Sequence, residues 1–148
     1  RVRGVGQRAA LVVADLVLIP TAPRSFDVWA LEDTARLIEE MRPANPGLLA
    51  AVFLNRADPA GQGSENEEAA DLLRETPGLT FLDTPLGNRK AFAHAAAQGL
   101  SVVEIERRDP KADAEIRALH DAAFTPNAGP LWPHGDAKKT PLEWSTQP

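Results

Sequence analysis

The sequence contains no cysteine and no tyrosine among its 148 residues, and only 5% of the residues are aromatic. Without cysteine, disulfide bonds, thiolate zinc sites and cysteine nucleophiles are all excluded. The scarcity of aromatic side chains argues against a surface on which single-stranded bases stack. Of the three histidines, His120 and His134 have no carboxylate or histidine at metal-ligand spacing, and His94 lies on an alanine-rich helix. We therefore expect no metal site.

Basic residues are in the minority, with 16 Lys and Arg against 21 Asp and Glu and a net charge of -5. The molecule as a whole repels nucleic acid, so any contact with phosphates requires a local basic patch. The longest apolar stretch near the start, residues 11–19, is interrupted by Asp15. It is far shorter than the roughly 20 residues that cross a bilayer, so we expect no contact with a membrane.

Short apolar runs alternate with amphipathic helical patterns along the chain. Residues 16–20 and 48–54 predict buried strands, and residues 79–82 predict a third strand followed by a loop over residues 83–88. Strands that are apolar on both faces and alternate with helices indicate a parallel sheet covered on both sides. The sequence therefore predicts a doubly wound, mainly parallel α/β fold.

Local signals predict where several elements begin and end. Ser64 has the spacing of a capping box, and Asp109 followed by proline is typical of a helix start. Residues 100–105 are a weaker strand candidate. From residue 125 onward the chain is rich in proline and has no period, which predicts a disordered tail over 125–148 after a single domain, 1–124.

Polar residues follow the predicted second strand, at the sheet edge where parallel sheets bind ligands. Asn55 offers an amide with a donor and an acceptor, which can bond adenine, and Asp58 offers a carboxylate, which favours the donors of guanine. The alternative is that both side chains simply close the turn through the backbone, which is their commonest use after a strand.

The segment after the third strand combines an apolar pair with a basic pair. Pro85 and Leu86 could form an apolar wall for a base. Arg89 and Lys90 place two cations at a helix start, where the amino end is already positive. These cations face either a phosphate or carboxylate partner or the solvent, and Arg24 could join them.

Three separated segments carry a resemblance to a known family. In order and spacing they resemble the ParA-type partition ATPases, which are relatives of MinD in the deviant Walker A group. The similarity runs from about residue 6 to residue 124. The segments are ADLVLIPT at 14–21 with Pro23, Ser25, Phe26, Asp27, Trp29 and Ala30, then FLNR at 53–56, then LDTPLGNRKAFAHAAAQGLSVVE at 82–104.

The resemblance implies a P-loop NTPase-like fold and a bacterial, cytoplasmic, nucleoid-associated ATPase. Such a protein binds ATP and Mg²⁺, forms a homodimer with ATP between the protomers, binds nonspecific DNA and is stimulated by a centromere-binding partner. Residues 20–27 would then lie towards the dimer face. By resemblance, the nucleotide-binding residues would be Asn55, Arg56, Thr84, Pro85 and Leu86, and the DNA contacts would be Arg89 and Lys90.

The family's glycine-rich phosphate loop has no counterpart in this sequence, because Gly4-Val5-Gly6 is not followed by a lysine and a Ser or Thr. Phosphoryl transfer depends on that loop, so we expect a carboxyl-terminal part that is inactive alone, with a piece missing upstream of Arg1. Two alternatives stay open. One is a non-catalytic α/β interaction module that competes for dimerisation, and the other is a fragment of a GTP-binding relative. A base pocket requires Asn55 and Pro85 to share one crevice.

Overall fold

A computed structural model describes residues 5–58 and 64–125, without the side chains of residues 5 and 25–29. Most of the tail predicted over 125–148 lies outside the described residues. None of the described helices has the length and hydropathy needed to span a membrane. The elements are α1 (Val5–Val13), β1 (Leu16–Thr21), α2 (Ser25–Met41), β2 (Leu49–Ala57), α3 (Glu65–Glu75), β3 (Thr80–Gly87), α4 (Lys90–Ala97) and α5 (Pro110–Phe124).

The three strands form one parallel sheet in the order β1-β2-β3. The register pairs Leu16 with Leu49 and Ala51 with Thr80. β2 lies in the middle, and its side chains are buried from Ala50 to Leu54. This burial explains why β2 is a continuous apolar run in the sequence.

Helices cover both faces of the sheet, so the predicted α/β class is confirmed. On one face, Val52 and Leu54 pack with Leu73 of α3. On the other face, Ala51 and Phe53 pack with apolar residues of α5. Because neighbouring side chains of a strand point to opposite faces, one apolar strand serves both layers. α1 and α2 join the α3 side through Leu11 and Ile38, and α4 and residues 100–105 adjoin α5 through Ala95, Val102, Ile105 and Ala112.

β3 is longer than predicted, because it continues to Gly87 through residues expected to form a loop. The register shifts between Phe53 and Asn55, where β3 has the extra residues, and again between Asn55 and Ala57, where β2 has one, so the pairing of the two strands is irregular at this end. β3 is an edge of the described sheet, and an edge strand tolerates Pro85, which lacks an amide proton.

The strand predicted over residues 100–105 is wrong, because this segment forms turns. Its backbone bonds locally: the Ser101 amide donates to Glu104 Oε2 at 2.7 Å, and the Glu104 amide donates to the Ser101 carbonyl at 3.0 Å. Val102 and Ile105 are buried against α4 and α5. The apolar residues therefore contribute to the core without joining the sheet.

Both predicted helix starts are confirmed, because α3 begins directly after Ser64 and α5 directly after Asp109, but only Asp109 makes the expected cap. Asp109 Oδ1 accepts hydrogen bonds from the amides of Lys111 and Ala112 at 2.9 and 3.2 Å, which caps α5. The capping box at Ser64 is wrong. Ser64 already has helical backbone angles, and its hydroxyl donates to the carboxylate of Glu68 instead of accepting from an amide.

Candidate functional site

Two crevices open near the carboxyl ends of the strands. The larger, which we call the α3 crevice, has a volume of about 760 Å³ and lies between α3, the ends of β2 and β3, and the start of α5. Its apolar wall includes Leu54, Ala70 and Pro85, and Asn88 and Arg89 lie at its rim. Its size is in the range of small-molecule sites.

The smaller crevice, which we call the α2 crevice, has a volume of about 300 Å³. It lies between the end of β1 and α2, and it is lined by Thr21, Thr34, Asn55 and Arg56 among others. Asn55 Oδ1 accepts the amide of Arg56 at 3.0 Å, and Arg56 has a positive φ of 56°. Asn55 thus makes the local side-chain bond to the backbone that is typical of a turn.

The structure does not bring Asn55 and Pro85 into one crevice, although a single base pocket needs them together. Asn55 lines the α2 crevice and Pro85 lines the α3 crevice. Both crevices lie on the α2 and α3 side of the sheet, because Leu31 lines one and Leu54 the other, and both belong to the core on that side. The crevices are separated along the sheet, one beside α2 near the end of β1 and the other beside α3 near the end of β3.

Of the three residues expected to flank a base, only Pro85 lines the α3 crevice. Leu86 is buried in the core against Leu119, with 9% of its surface exposed. The hydroxyl of Thr84 is buried and has no hydrogen-bond partner among the described residues. Thr84 and Leu86 lie on the same side of β3, because strand side chains alternate.

Asp58, the carboxylate of the candidate purine-reading turn, is occupied by Arg24. Arg24 Nη1 and Nη2 donate to Oδ2 and Oδ1 at 2.9 and 3.2 Å, and Nη1 also donates to Glu65 at 2.7 Å. The hydrogen bonds from Arg24 hold the pKa of Asp58 below its usual value. Arg24 thus joins the β1–α2 loop to the end of β2 and the start of α3.

Sequence reasoning missed Asn66, whose side chain joins the start of α3 to Asp58, directly after β2. Its side-chain nitrogen donates to the Asp58 carbonyl at 2.8 Å, and its oxygen accepts the Asp58 amide at 3.1 Å. Asn66 lies in the first turn of α3, where the sequence shows only a polar helical residue. No local signal identifies its partner, because the partner is backbone eight residues away.

Arg89 pairs with a carboxylate that the sequence did not indicate. Its Nη2 donates to Glu115 Oε1 at 2.6 Å, and its Nε lies 3.0 Å from both carboxylate oxygens. The hydrogen bonds to Glu115 raise the pKa of Arg89. Burial raises the pKa of Glu115, but the hydrogen bonds from Arg89 and the Gly87 amide outweigh it and leave that pKa below its usual value. Lys90, the first residue of α4, is exposed.

The residues present fit a nucleotide base better than a metal-bound triphosphate. Within residues 5–58 and 64–125, no three His, Asp or Glu side chains come together in a way that could hold a metal ion. The sequence also contains no glycine-rich loop ending in Lys and Ser or Thr. The α3 crevice offers an apolar wall and polar rim groups, which suit a planar base.

Comparisons with known proteins support the resemblance. The chain is 32% identical over 109 residues to maintenance of carboxysome distribution protein A of Halothiobacillus neapolitanus, a match that covers 74% of this chain and 49% of that protein. It is 30% and 29% identical to two IncC proteins of Escherichia coli, covering 82% of the chain and 34% of each relative. No family model and no solved structure matches. The chain thus spans a third to a half of these relatives, whose similarity supports a ParA-type partition protein.

Proposed function

We propose that this chain is the carboxyl-terminal part of a ParA-type ATPase that positions or partitions a cellular cargo. The observation that carries the proposal is the similarity to the carboxysome distribution protein over 74% of the chain. The parallel three-stranded sheet between helical layers supports it, because ligand sites of such folds lie at the carboxyl ends of the strands. Both crevices lie near that end.

Within this function, the α3 crevice is our candidate for the base of ATP. Pro85 and Leu54 supply the apolar wall. The guanine alternative is weaker at the turn after β2, because Arg24 already binds both oxygens of Asp58, the carboxylate that would accept the guanine donors there. The contacts predicted from the sequence for Asn55, Arg56, Thr84 and Leu86 stay a separate prediction, because Asn55 and Arg56 would place the base in the α2 crevice.

The open edge of β1 supports the proposal that the whole protein has a larger sheet. The Leu49 amide donates to the Asp15 carbonyl at 2.9 Å, so the backbone groups of Leu16 and Leu18 point away from β2. Among the described residues, no strand pairs with that side. Exposed sheet edges usually carry charges, prolines or bulges, and of these β1 has only Pro20, near its end. We propose that a further strand adjoins β1, and that the phosphate loop and Mg²⁺ ligands belong to that other part.

The partners follow from the same proposal. Arg89 and Lys90 contact the phosphates of nonspecific DNA, residues 20–27 face the second protomer of a homodimer, and a centromere-binding protein stimulates hydrolysis. The site of action is the bacterial cytoplasm, at the nucleoid.

The test joins this chain to the upstream half of a relative and titrates fluorescent ATP and GTP in parallel. We expect tighter binding of ATP, and tighter binding of duplex DNA when ATP is present. Pro85→Ser should weaken ATP binding more than Asn55→Ala. The reverse ranking would place the base in the α2 crevice, and tighter binding of GTP would favour the GTP-binding alternative. A joined protein that binds no ATP, with no effect of nucleotide on DNA affinity, would refute the proposal.

A further inference from the structure

Arg89, a proposed DNA contact, is held by Glu115 of α5 through three short donor–acceptor distances of 2.6 to 3.0 Å. Only 31% of the Arg89 side chain and 22% of the Glu115 side chain are exposed. Glu115 engages Nε and Nη2 of Arg89, so a phosphate can approach only the remaining Nη1 side of the guanidinium, close to the carboxylate. Arg89 therefore has to leave Glu115 before its Nε and Nη2 can bind a phosphate as a pair.

Glu115 opposes DNA in a second way, through its own charge. A phosphate bound to Arg89 in the present geometry would lie within a few ångströms of the Glu115 carboxylate. Like charges at that distance repel strongly at a partly buried site. The pair thus combines competition for the arginine with repulsion of its alternative partner.

The third contact of Glu115 joins the pair to the wall of the α3 crevice. The amide of Gly87 donates to Glu115 Oε2 at 3.0 Å, and Gly87 lies two residues after Pro85. Gly87 has little space: a methyl group there would lie 3.3 Å from Arg89 Nε and 3.4 Å from both Glu115 oxygens. The end of β3 and the ion pair cannot move independently of each other.

We propose that Glu115 restrains Arg89 and thereby limits the affinity of the α4 surface for DNA, and that release of this ion pair adds one phosphate contact. This inference rests on the proposed DNA-binding function. Lys90 can contact a phosphate directly, whereas Arg89 makes its full contact only after its ion pair with Glu115 has opened.

The experiment uses the full 148-residue chain and a fluorescent duplex of mixed sequence, followed by anisotropy over a series of salt concentrations. Glu115→Gln removes the charge that holds Arg89. Asp113→Asn is the matched control, because Asp113 lies on the same helix, pairs with Arg117 at 3.0 Å and gives the same change of net charge. We expect Glu115→Gln to bind DNA roughly three- to tenfold more tightly than Asp113→Asn. An ion pair of this kind favours the paired over the released state of the arginine by up to about tenfold.

Three further readouts separate release of Arg89 from a general change of charge. The slope of log affinity against log salt should steepen by about 0.9 in Glu115→Gln, which corresponds to one added phosphate contact. Arg89→Ala should cost little in the wild-type chain but should abolish the gain in the Glu115→Gln background. Gly87→Ala, which crowds the pair without altering charge, should raise DNA affinity in the same direction by a smaller factor.

The outcomes distinguish this inference from the function on which it rests. If the wild type binds DNA and Lys90→Ala weakens binding, but Glu115→Gln behaves like Asp113→Asn, the restraint by Glu115 is refuted and the DNA surface stands. If the gain persists in Glu115→Gln/Arg89→Ala, Arg89 is not the released group and the inference is wrong. If the wild type and every variant leave DNA unbound at low salt, the series is repeated in the protein joined to the upstream half of a relative, with ATP present, and absence of binding there refutes the DNA-binding role together with the restraint.

Discussion

Replacing Asn66 by alanine tests whether its side chain holds the start of α3 against Asp58, at one wall of the α3 crevice. The amide group of Asn66 makes two hydrogen bonds to the backbone of Asp58, at 2.8 and 3.1 Å, and it is half-buried. Alanine removes both bonds and leaves the Asp58 amide and carbonyl without these partners. Asp58 also forms an ion pair with Arg24, so the geometry of the site depends on the bonds between Asn66 and Asp58.

The expected loss follows from the number of bonds and their exposure. A typical intramolecular hydrogen bond contributes about 0.5–1.5 kcal/mol, so two of them give about 1–3 kcal/mol. Water can reach a half-buried site and replace part of each bond, which favours the lower half of that range. We expect a loss of about 1–2 kcal/mol in the free energy of unfolding. With an m-value of about 2 kcal/mol/M, the urea midpoint should fall by about 0.5–1 M.

Urea unfolding followed by circular dichroism measures this loss, provided that the m-value is unchanged. Asn88→Ala is the matched control, because Asn88 lies on the opposite rim of the crevice and is exposed. A change at an exposed site of this kind should stay within about 0.5 kcal/mol. If both variants unfold at the same midpoint, the bonds of Asn66 to Asp58 do not stabilise the fold. The claim that Asn66 holds α3 against Asp58 is then wrong.

Three further predictions concern the core, the start of α5 and the dependence on pH. Leu73→Ala should lower the free energy of unfolding by about 2–5 kcal/mol in urea titrations, because Leu73 is fully buried between α3 and the sheet. A smaller loss would show that neighbouring side chains collapse into the cavity. Asp109→Ala should cost about 1 kcal/mol through loss of the cap, whereas Asp109→Asn should retain most of it. Because the folded pKa of Glu115 is lowered, its contribution is fully present above the unfolded pKa and is lost as pH falls through the folded pKa. Wild type should therefore lose more stability than Glu115→Gln between about pH 6 and about pH 3, and equal losses in the two proteins would contradict this assignment.

Elements with local signals could be predicted from the sequence, and those decided by distant partners could not. The apolar runs of β1 and β2 and the start of α5 at Asp109 are encoded within a few residues, and the structure confirms all three. The second half of β3 carries proline and glycine, which indicate a loop. It forms strand because irregular pairing, with extra residues first in β3 and then in β2, lets it follow the end of β2. Residues 100–105 have an apolar composition typical of a strand, yet Val102 and Ile105 are buried against α4 and α5.

The candidate site shows the same division. The sequence locates polar residues at the strand ends, but it cannot give the packing of α2 and α3 that places Asn55 and Pro85 in separate crevices. It also cannot match Arg89 with Glu115, because 26 positions separate them. The unfavourable position of a cation at a helix start was visible as a signal that Arg89 needs a partner. The identity of that partner emerges only from the packing of α5 on β3.

The ion pairs around the site bear on how an acidic chain could bind DNA at all. Arg24, Arg74 and Arg89 surround the end of the sheet, and each is matched with a carboxylate at 2.9 Å or less. Paired arginines contribute little field at a distance, so with a net charge of -5 the surface offered to DNA is weaker than the number of basic residues suggests. Under the proposed DNA-binding function, each ion pair that opens should add to the affinity that exposed cations such as Lys90 already provide.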